Sequence, residues 1–231
     1  MFRILYIDLD LHHGDGVEEE FKTSKQVATF SLHHYADGFY PGTGGPVLNK
    51  TGGFSINAPL PERIGDADWL TLAKYGVSHL IDAFDPQYLV VQCGADALFN
   101  DPHKSTSLSQ SAYLSLIEHV KRFARPMLIL GGGGYNETAS AKLWANVTAK
   151  LCGLRLVDDI PDTDDYFERY GPDFTVHETN ELFTAVPQEK LESIKNHILR
   201  CCTDIKTHRK ANQLCQLPKR PAFKRRKLIL D

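Results

Sequence analysis

Two carboxylates and one imidazole recur at alternate positions near the start of the chain. Asp8, Asp10 and His12 follow an apolar run that predicts a buried strand from Arg3 to Leu9. Side chains alternate between the faces of a strand, so Asp8 and Asp10 point the same way, and His12 joins them if the backbone stays extended. Such oxygen and nitrogen ligands suit Zn²⁺, whose catalytic sites use three protein ligands. The pattern favours a metal site that lacks one ligand; the alternative is a turn capped by two aspartates beside a partly buried histidine.

Two other apolar segments end in residues that can complete the same site. The segment 88–93 runs into Gly94-Ala95-Asp96, which places another carboxylate after a strand. The segment 126–130 is followed by four glycines and Tyr135. In parallel sheets, ligand sites form outside the carboxyl ends of the strands. The three strand ends together therefore favour the metal site over the turn-cap alternative.

The segments between these strands predict helices, and their order predicts the fold class. Apolar residues recur at spacings of three and four over 66–84 and over 109–123, where Ser109 is the expected N-cap. Further strands are expected at 26–33 and 54–58, and further helices at 14–21, 137–152 and 188–201. Alternating strands and helices predict an α/β fold in three layers, with a mainly parallel central sheet. A buried strand at the very start predicts further sequence before Met1, so the domain is expected to be N-terminally incomplete.

Composition places this chain of 231 residues among ordinary globular proteins, with 42% hydrophobic and 24% charged residues. No apolar run approaches the roughly 18 residues that predict a membrane span, so no membrane partner is expected. Five cysteines, without a Cys-x-x-Cys pair, predict reduced thiols in an intracellular compartment.

Charge is unevenly placed, and it divides the chain. The net charge is −3, yet residues 206–231 contain nine Lys or Arg and one acid. We expect a folded region over 1–202 and a basic, disordered tail over 203–231. Three alternatives remain for the cluster from Lys219 to Lys227: a nuclear-import signal, weak phosphate contact with nucleic acid, or a solvated tail without a role.

Four motifs together resemble the class I zinc-dependent histone deacetylases. They are the opening Asp-x-Asp-x-His-His-Gly-Asp-Gly of 8–16, Pro-Gly-Thr-Gly of 41–44, Gly-Ala-Asp of 94–96 and the Gly-rich run 131–136 with its Tyr and Asn. Each motif alone is moderately specific, whereas four in this order and spacing are very specific. Two shorter stretches, 31–33 and 38–41, resemble one subtype of the class. The resemblance covers residues 2–175 and implies the arginase/deacetylase type of α/β fold.

The resemblance implies roles for particular residues. Asp10, His12 and Asp96 would be the ligands of Zn²⁺, or of another divalent metal such as Fe²⁺. Tyr135 would donate a hydrogen bond to the substrate oxyanion while the metal polarises the acetamide carbonyl.

The same resemblance implies a potassium ion and a substrate channel. Potassium would lie beside the zinc, held by Asp8, Ser31 and Leu32. The acyl-lysine channel would be lined by the following residues: Phe39, Tyr40, His103, Gly133 and Gly134. Glycines there let backbone approach the substrate more closely than side chains would.

The chain also departs from the family pattern. In the family, a pair of histidines that acts as general base lies well upstream of the Asp-x-His strand, and His12-His13 is not that pair. We therefore expect the general base to be absent from this chain, which leaves the activity of the chain alone an open question. Asp8 and Asp15 would correspond to carboxylates that support those absent imidazoles. Tyr40 replaces a usual Phe, and His103 stands where an aliphatic residue is usual. An exposed loop histidine without a role in specificity is the alternative for His103.

These observations predict zinc-dependent hydrolysis of N6-acetyl-lysine on histones or other proteins, linked to transcriptional repression. Acetylated histone tails, other acetyl-lysine proteins and a corepressor complex are the partners that the resemblance implies. The resemblance also implies a location in the nucleus, with the cytoplasm as a further location. Two rival functions remain: a catalytically silent deacetylase fragment that binds partners, and a nuclear scaffold dominated by its basic tail.

Overall fold

A computed structural model describes residues 2–46, 54–178 and 185–215. Five strands form the sheet: β1 (Ile4–Asp8), β2 (Val27–His34), β3 (Phe54–Leu60), β4 (Tyr88–Gln92) and β5 (Met127–Leu130). Five α-helices accompany them: α1 (Asp15–Phe21), α2 (Asp66–Phe84), α3 (Gln110–Lys121), α4 (Glu137–Cys152) and α5 (Gln188–Cys215). A short 3₁₀ helix spans Phe167–Tyr170.

The sheet is parallel throughout, with the strand order β3-β2-β1-β4-β5. Helices cover both of its faces, so the predicted α/β fold of three layers is confirmed. The central strand β1 is flanked by β2 and β4, and the buried side chains of Leu5 and Ile7 lie on the same face of it. Because β1 and β4 are neighbours, their carboxyl ends bring Asp10 and Asp96 to the same edge.

Strand β5 is more open than the strands it follows. It lies at one edge of the described sheet, where Leu128 is 56% and Leu130 is 40% exposed. On its other face Ile129 packs partly buried against the core, and Trp144 from α4 donates a hydrogen bond to the Cys93 carbonyl at 2.8 Å. Helix α4 thus anchors the end of β4 next to the Gly-rich turn.

Most of the predicted elements are confirmed within two residues of their ends, and α2 and α4 agree exactly. Ser109 does not cap α3 with its side chain; its hydroxyl donates instead to the carboxylate of Asp66, at the start of α2. The Ser109 oxygen also lies 2.7 Å from Ser111 Oγ, so its hydrogen bonds go to side chains and not to a backbone amide of α3.

Helix α5 extends well beyond the predicted end at residue 201, so the boundary expected at 202/203 is wrong. Ile205 is buried against the core, and Lys206 forms an ion pair with Asp82. Arg209 donates to the Ala83 carbonyl at 3.0 Å, at the C-terminal end of α2, where cations are favourable. These tertiary contacts hold the charged segment in helical form through Cys215. Residues 216–231, including the basic cluster 219–227, lie outside the described residues.

No helix in the described ranges combines the length and the apolar character needed to cross a membrane.

Candidate metal centre

The three predicted ligands come together in one cluster. Ligand atoms of Asp10, His12 and Asp96 all lie within 4.8 Å of one another. His12 Nδ1 is 3.2 Å from Asp10 Oδ1 and 3.0 Å from Asp96 Oδ2. Asp10 and His12 follow β1, and Asp96 follows β4, so adjacent parallel strands position them. Among the described residues, this is the group of acidic, imidazole or thiol side chains that is suited to hold a metal ion.

Backbone and amide donors fix both carboxylates. Asp10 Oδ2 accepts from Gln92 Nε2 at 2.8 Å and from the Gly133 amide at 2.9 Å. Asp96 Oδ1 accepts from the Leu11 amide at 2.8 Å. These contacts occupy one oxygen of each carboxylate and leave the other facing the His12 imidazole. The cluster is therefore preorganised by groups that carry no charge of their own.

The alternative function of the aspartates, as turn caps, is also present. Asp8 Oδ1 accepts from the Asp10 amide at 3.1 Å, and Asp10 Oδ1 accepts from the His12 amide at 3.0 Å. Each aspartate thus stabilises the backbone two residues further on, in the manner of an Asx turn. The caps turn the chain so that His12 approaches Asp96, which means that the two interpretations describe one arrangement.

The charge of each residue in the cluster depends on its two neighbours. Burial raises the pKa of Asp96 to about 6. Burial opposes ionisation of Asp10 too, but hydrogen bonds from His12, Asp96 and Gln92 outweigh it and hold the Asp10 pKa below its usual range. Hydrogen bonds to Asp10 and Asp96 raise the pKa of His12 to about 9. A protonated imidazole therefore balances two carboxylates, as a bound cation would.

The donor set fits a divalent metal ion. Two carboxylate oxygens and one imidazole nitrogen are ligands that Zn²⁺ accepts, and three protein ligands leave a coordination position for substrate or water. A Cβ atom at Gly133 would overlap the carboxylates of both Asp96 and Asp10, and one at Gly94 would overlap that of Asp10. The glycines therefore allow backbone to close around the cluster without displacing its ligands.

Four aromatic rings surround His12. Phe39 stacks on it with ring centroids 5.3 Å apart, and Tyr40, His103 and Tyr135 stand edge-on at 6.0, 5.0 and 6.4 Å. Tyr40 and Tyr135 are 74% and 57% exposed. The predicted channel residues thus gather on the open side of the cluster, although their contact with a substrate remains a prediction.

Tyr135 follows the Gly-rich turn after β5. Burial, together with the negative charges of Asp96 and Asp10, raises the pKa of its phenol. The phenol therefore keeps its proton and can act as a hydrogen-bond donor. Gly134, which precedes it, has a φ of +147°, a conformation that side chains rarely adopt.

Two buried histidines hold the loop that carries Phe39 and Tyr40. His33 Nε2 donates to the Gly44 carbonyl at 3.0 Å, and His13 Nδ1 lies 2.7 Å from Thr43 Oγ1. The two imidazoles contact each other, with ring centroids 4.6 Å apart. We call His13 and His33 the loop clasp.

The residues predicted to hold potassium are neighbours, but not all supporting carboxylates approach the cluster. Asp8 and Ser31 are register partners on β1 and β2, and Leu32 follows on β2. Burial raises the pKa of Asp8 to about 7. Asp15 is exposed at the first position of α1, and the structure records no hydrogen bond of its carboxylate to any described residue. The roles of these four residues stay predictions.

Sequence reasoning missed Gln92 and Asp101. Gln92 holds Asp10 and also accepts from the Gly94 amide at 2.8 Å. A polar residue at the end of the apolar strand β4 was the available signal for it. Asp101 accepts from the Tyr135 amide, and an acid in an irregular loop gives no comparable signal.

Comparison with known proteins agrees with this geometry. Residues 1–151 match the histone deacetylase domain family. The chain is 37% identical to histone deacetylase 8 of Xenopus laevis over 206 residues, which is 86% of this chain and 63% of the relative. It is also 37% identical to histone deacetylase 1 of Homo sapiens over 207 residues, 84% of this chain and 42% of the relative.

A yeast relative shows similar agreement. Histone deacetylase clr6 of Schizosaccharomyces pombe is 35% identical over 208 residues, 84% of this chain and 50% of the relative. The chain thus spans between 42% and 63% of the length of these three relatives. The subtype that stretches 31–33 and 38–41 resemble is histone deacetylase 8, and the matches are consistent with the expected class I resemblance.

Proposed function

Because this chain belongs to the histone deacetylase domain family, we propose that it forms the metal-bearing part of a protein lysine deacetylase. The reaction is hydrolysis of the acetamide of N6-acetyl-lysine on histones or other proteins. The observation that carries the proposal is the cluster of Asp10, His12 and Asp96 with Tyr135 on its open side.

Zn²⁺ is the proposed ion, held by Asp10, His12 and Asp96, and it would polarise the acetamide carbonyl as a Lewis acid. Gln92 and the Gly133 amide keep the Asp10 carboxylate in place, and the Leu11 amide does the same for Asp96. The same proposal includes a potassium ion beside the zinc, held by Asp8, Ser31 and Leu32.

The side chains around the cluster have separate tasks. Phe39 and Tyr40 border the lysine methylenes as apolar walls, and the stacking of Phe39 on His12 places one wall directly beside the ligands. Tyr135 donates its phenol proton in a hydrogen bond to the acetamide oxygen, where negative charge develops in the transition state. Donors fixed before the reaction stabilise that charge without reorganisation.

Membership of the family also supports four further proposals: acetylated histone tails as substrates, action within a corepressor complex, transcriptional repression and a nuclear location. The basic cluster from Lys219 to Lys227 is the proposed import signal. Deletion of residues 218–231 should then reduce nuclear entry, and unchanged entry would dismiss the signal.

The test is turnover of an acetyl-lysine peptide by the zinc-loaded chain, alone and with Asp96→Ala. Turnover that Asp96→Ala abolishes supports the proposal. Zinc binding without turnover, under conditions where a full-length relative is active, would favour the alternative of a silent deacetylase fragment that binds partners.

A further inference from the structure

A buried carboxylate outside the metal cluster links two of its surrounding rings. Asp101 lies in the loop after β4, and only 1% of its surface is exposed. Its Oδ2 accepts a hydrogen bond from the Tyr135 amide at 2.8 Å. Its Oδ1 accepts from the His103 amide at 3.0 Å and contacts His103 Nδ1 at 2.8 Å. One side chain thus binds the backbone of Tyr135 and the imidazole of His103.

The hydrogen bonds define the orientation of the His103 ring. An ionised carboxylate is an acceptor only, so Nδ1 of His103 carries the proton that faces Asp101. The other ring nitrogen, Nε2, remains for contact with a ligand. The His103 ring meets Tyr135 with centroids 4.7 Å apart and His12 at 5.0 Å, so it fills the space between them.

The Gly-rich turn before Tyr135 requires external contacts to define its direction. Glycine has wide conformational freedom, and four consecutive glycines impose little preference on the chain that follows. The Gly133 carbonyl accepts from the Ala95 amide at 2.6 Å, which fixes the middle of the turn. Asn136 donates to the Asn100 carbonyl at 3.1 Å on the far side. Asp101 accepts the hydrogen bond from the backbone amide of Tyr135 itself, directly after the turn.

We propose that Asp101 is a positioning residue that orients Tyr135 and His103 as one unit at the mouth of the metal cluster. Asp101 itself does not reach the reacting atoms; it acts through Tyr135 on the oxyanion and through His103 on the fit of the acyl-lysine. The inference rests on the proposed function for its catalytic consequence, whereas its structural consequence is independent of turnover.

The structural consequence is tested by amide hydrogen exchange at Tyr135. Asp101→Asn removes the charge and one acceptor, and exchange at the Tyr135 amide should rise roughly tenfold or more. Asp173→Asn, which alters an exposed acid, is the matched control and should leave that exchange unchanged. Unchanged exchange at Tyr135 in Asp101→Asn would overturn the proposal whether or not the chain turns over substrate.

The catalytic consequence is tested by a double-mutant cycle with Tyr135→Phe. A small displacement of a catalytic group can cost about 100-fold, so Asp101→Asn should lower kcat about 10- to 100-fold. In the Tyr135→Phe background the same substitution should have little further effect, because its action passes through the phenol. A merely structural role would lower kcat by the same factor in both backgrounds, and that result would contradict the proposal.

His103→Leu separates the two branches of the unit. It should raise KM for the acetyl-lysine peptide while kcat changes less than in Asp101→Asn, because the Tyr135 amide keeps its acceptor. A fall in kcat equal to that of Asp101→Asn would refute the separate action on Tyr135. Absence of turnover in the zinc-loaded chain would count against the proposed function, and turnover unchanged by Tyr135→Phe would refute the role of Tyr135. The exchange experiment decides the role of Asp101 in either case.

Discussion

His12 Nδ1 lies 3.0 Å from Asp96 Oδ2, although the two residues follow different strands of the sheet, β1 and β4. Together with Asp10, Asp96 raises the pKa of His12 to about 9. In this state a proton occupies the place between the carboxylates that a metal ion would take. Metal and proton therefore compete for one set of ligand atoms.

Metal affinity should consequently depend on pH. An imidazole must be neutral to bind a metal ion, so metal binding displaces the proton of His12. The affinity for zinc should therefore fall as the pH is lowered from 9 to 6. The measurement is a calorimetric titration with zinc at several pH values. Comparing two buffers of different ionisation enthalpy gives the number of protons released on binding. Binding without proton release at pH 7 would show that His12 is not a ligand.

Removing the phenol of Tyr135 should affect the reaction and not the metal. Tyr135→Phe should lower kcat by about 100- to 1,000-fold, the usual cost of losing one oxyanion donor. Zinc content should stay the same, because Tyr135 touches His12 only edge-on at a centroid distance of 6.4 Å. Metal analysis and steady-state kinetics on the same sample check both statements. Loss of zinc in this variant would mean that the role of Tyr135 is assigned wrongly.

The loop clasp should control substrate affinity through the loop that carries Phe39 and Tyr40. Thr43→Val removes the partner of His13 Nδ1 while preserving side-chain volume, so KM should rise about threefold to tenfold for the loss of one partly buried hydrogen bond. Thr43→Ser keeps the hydroxyl and is the matched control. Equal KM values for the two variants would show that the hydrogen bond does not position the loop.

His33 should make the protein sensitive to acid. Burial lowers the pKa of His33 to about 3, below its value near 6.5 in an unfolded chain. As the pH falls below 6.5, His33 is protonated in the unfolded state but not in the folded state. The free energy of unfolding should therefore decline from pH 6.5 towards 3. His33→Gln, whose amide can still donate to the Gly44 carbonyl, should flatten this decline in denaturant unfolding measured at pH 4 and 7. An unchanged pH slope would assign the decline to other groups.

The metal cluster could be predicted from the sequence because its residues directly follow apolar strands. The apolar runs before Asp10 and Asp96 predict parallel strands, and parallel strands bring such residues to one edge. Helix α2 was predictable to the residue, since its apolar face has a clear period and the dipeptide Asp85-Pro86 ends it.

Other parts could not be predicted because tertiary contacts decide them. The extension of α5 to Cys215 depends on the contacts of Lys206 and Arg209 with the end of α2. From charge composition alone, this segment is predicted to be a solvated tail. The role of Asp101 depends on a backbone amide 34 residues away, and spacing has no pattern for such a contact. Ser109 occupies the N-cap position of α3, yet its hydroxyl bonds to the Asp66 carboxylate at the start of α2 and not to the backbone of α3.

Zinc stoichiometry in matched variants tests the central claim, that Asp10, His12 and Asp96 hold one ion. The chain should bind one zinc ion, Asp96→Asn should lose tight binding, and Asp173→Asn should retain it. Full zinc content in Asp96→Asn, or equal loss in Asp173→Asn, would contradict this account of the site.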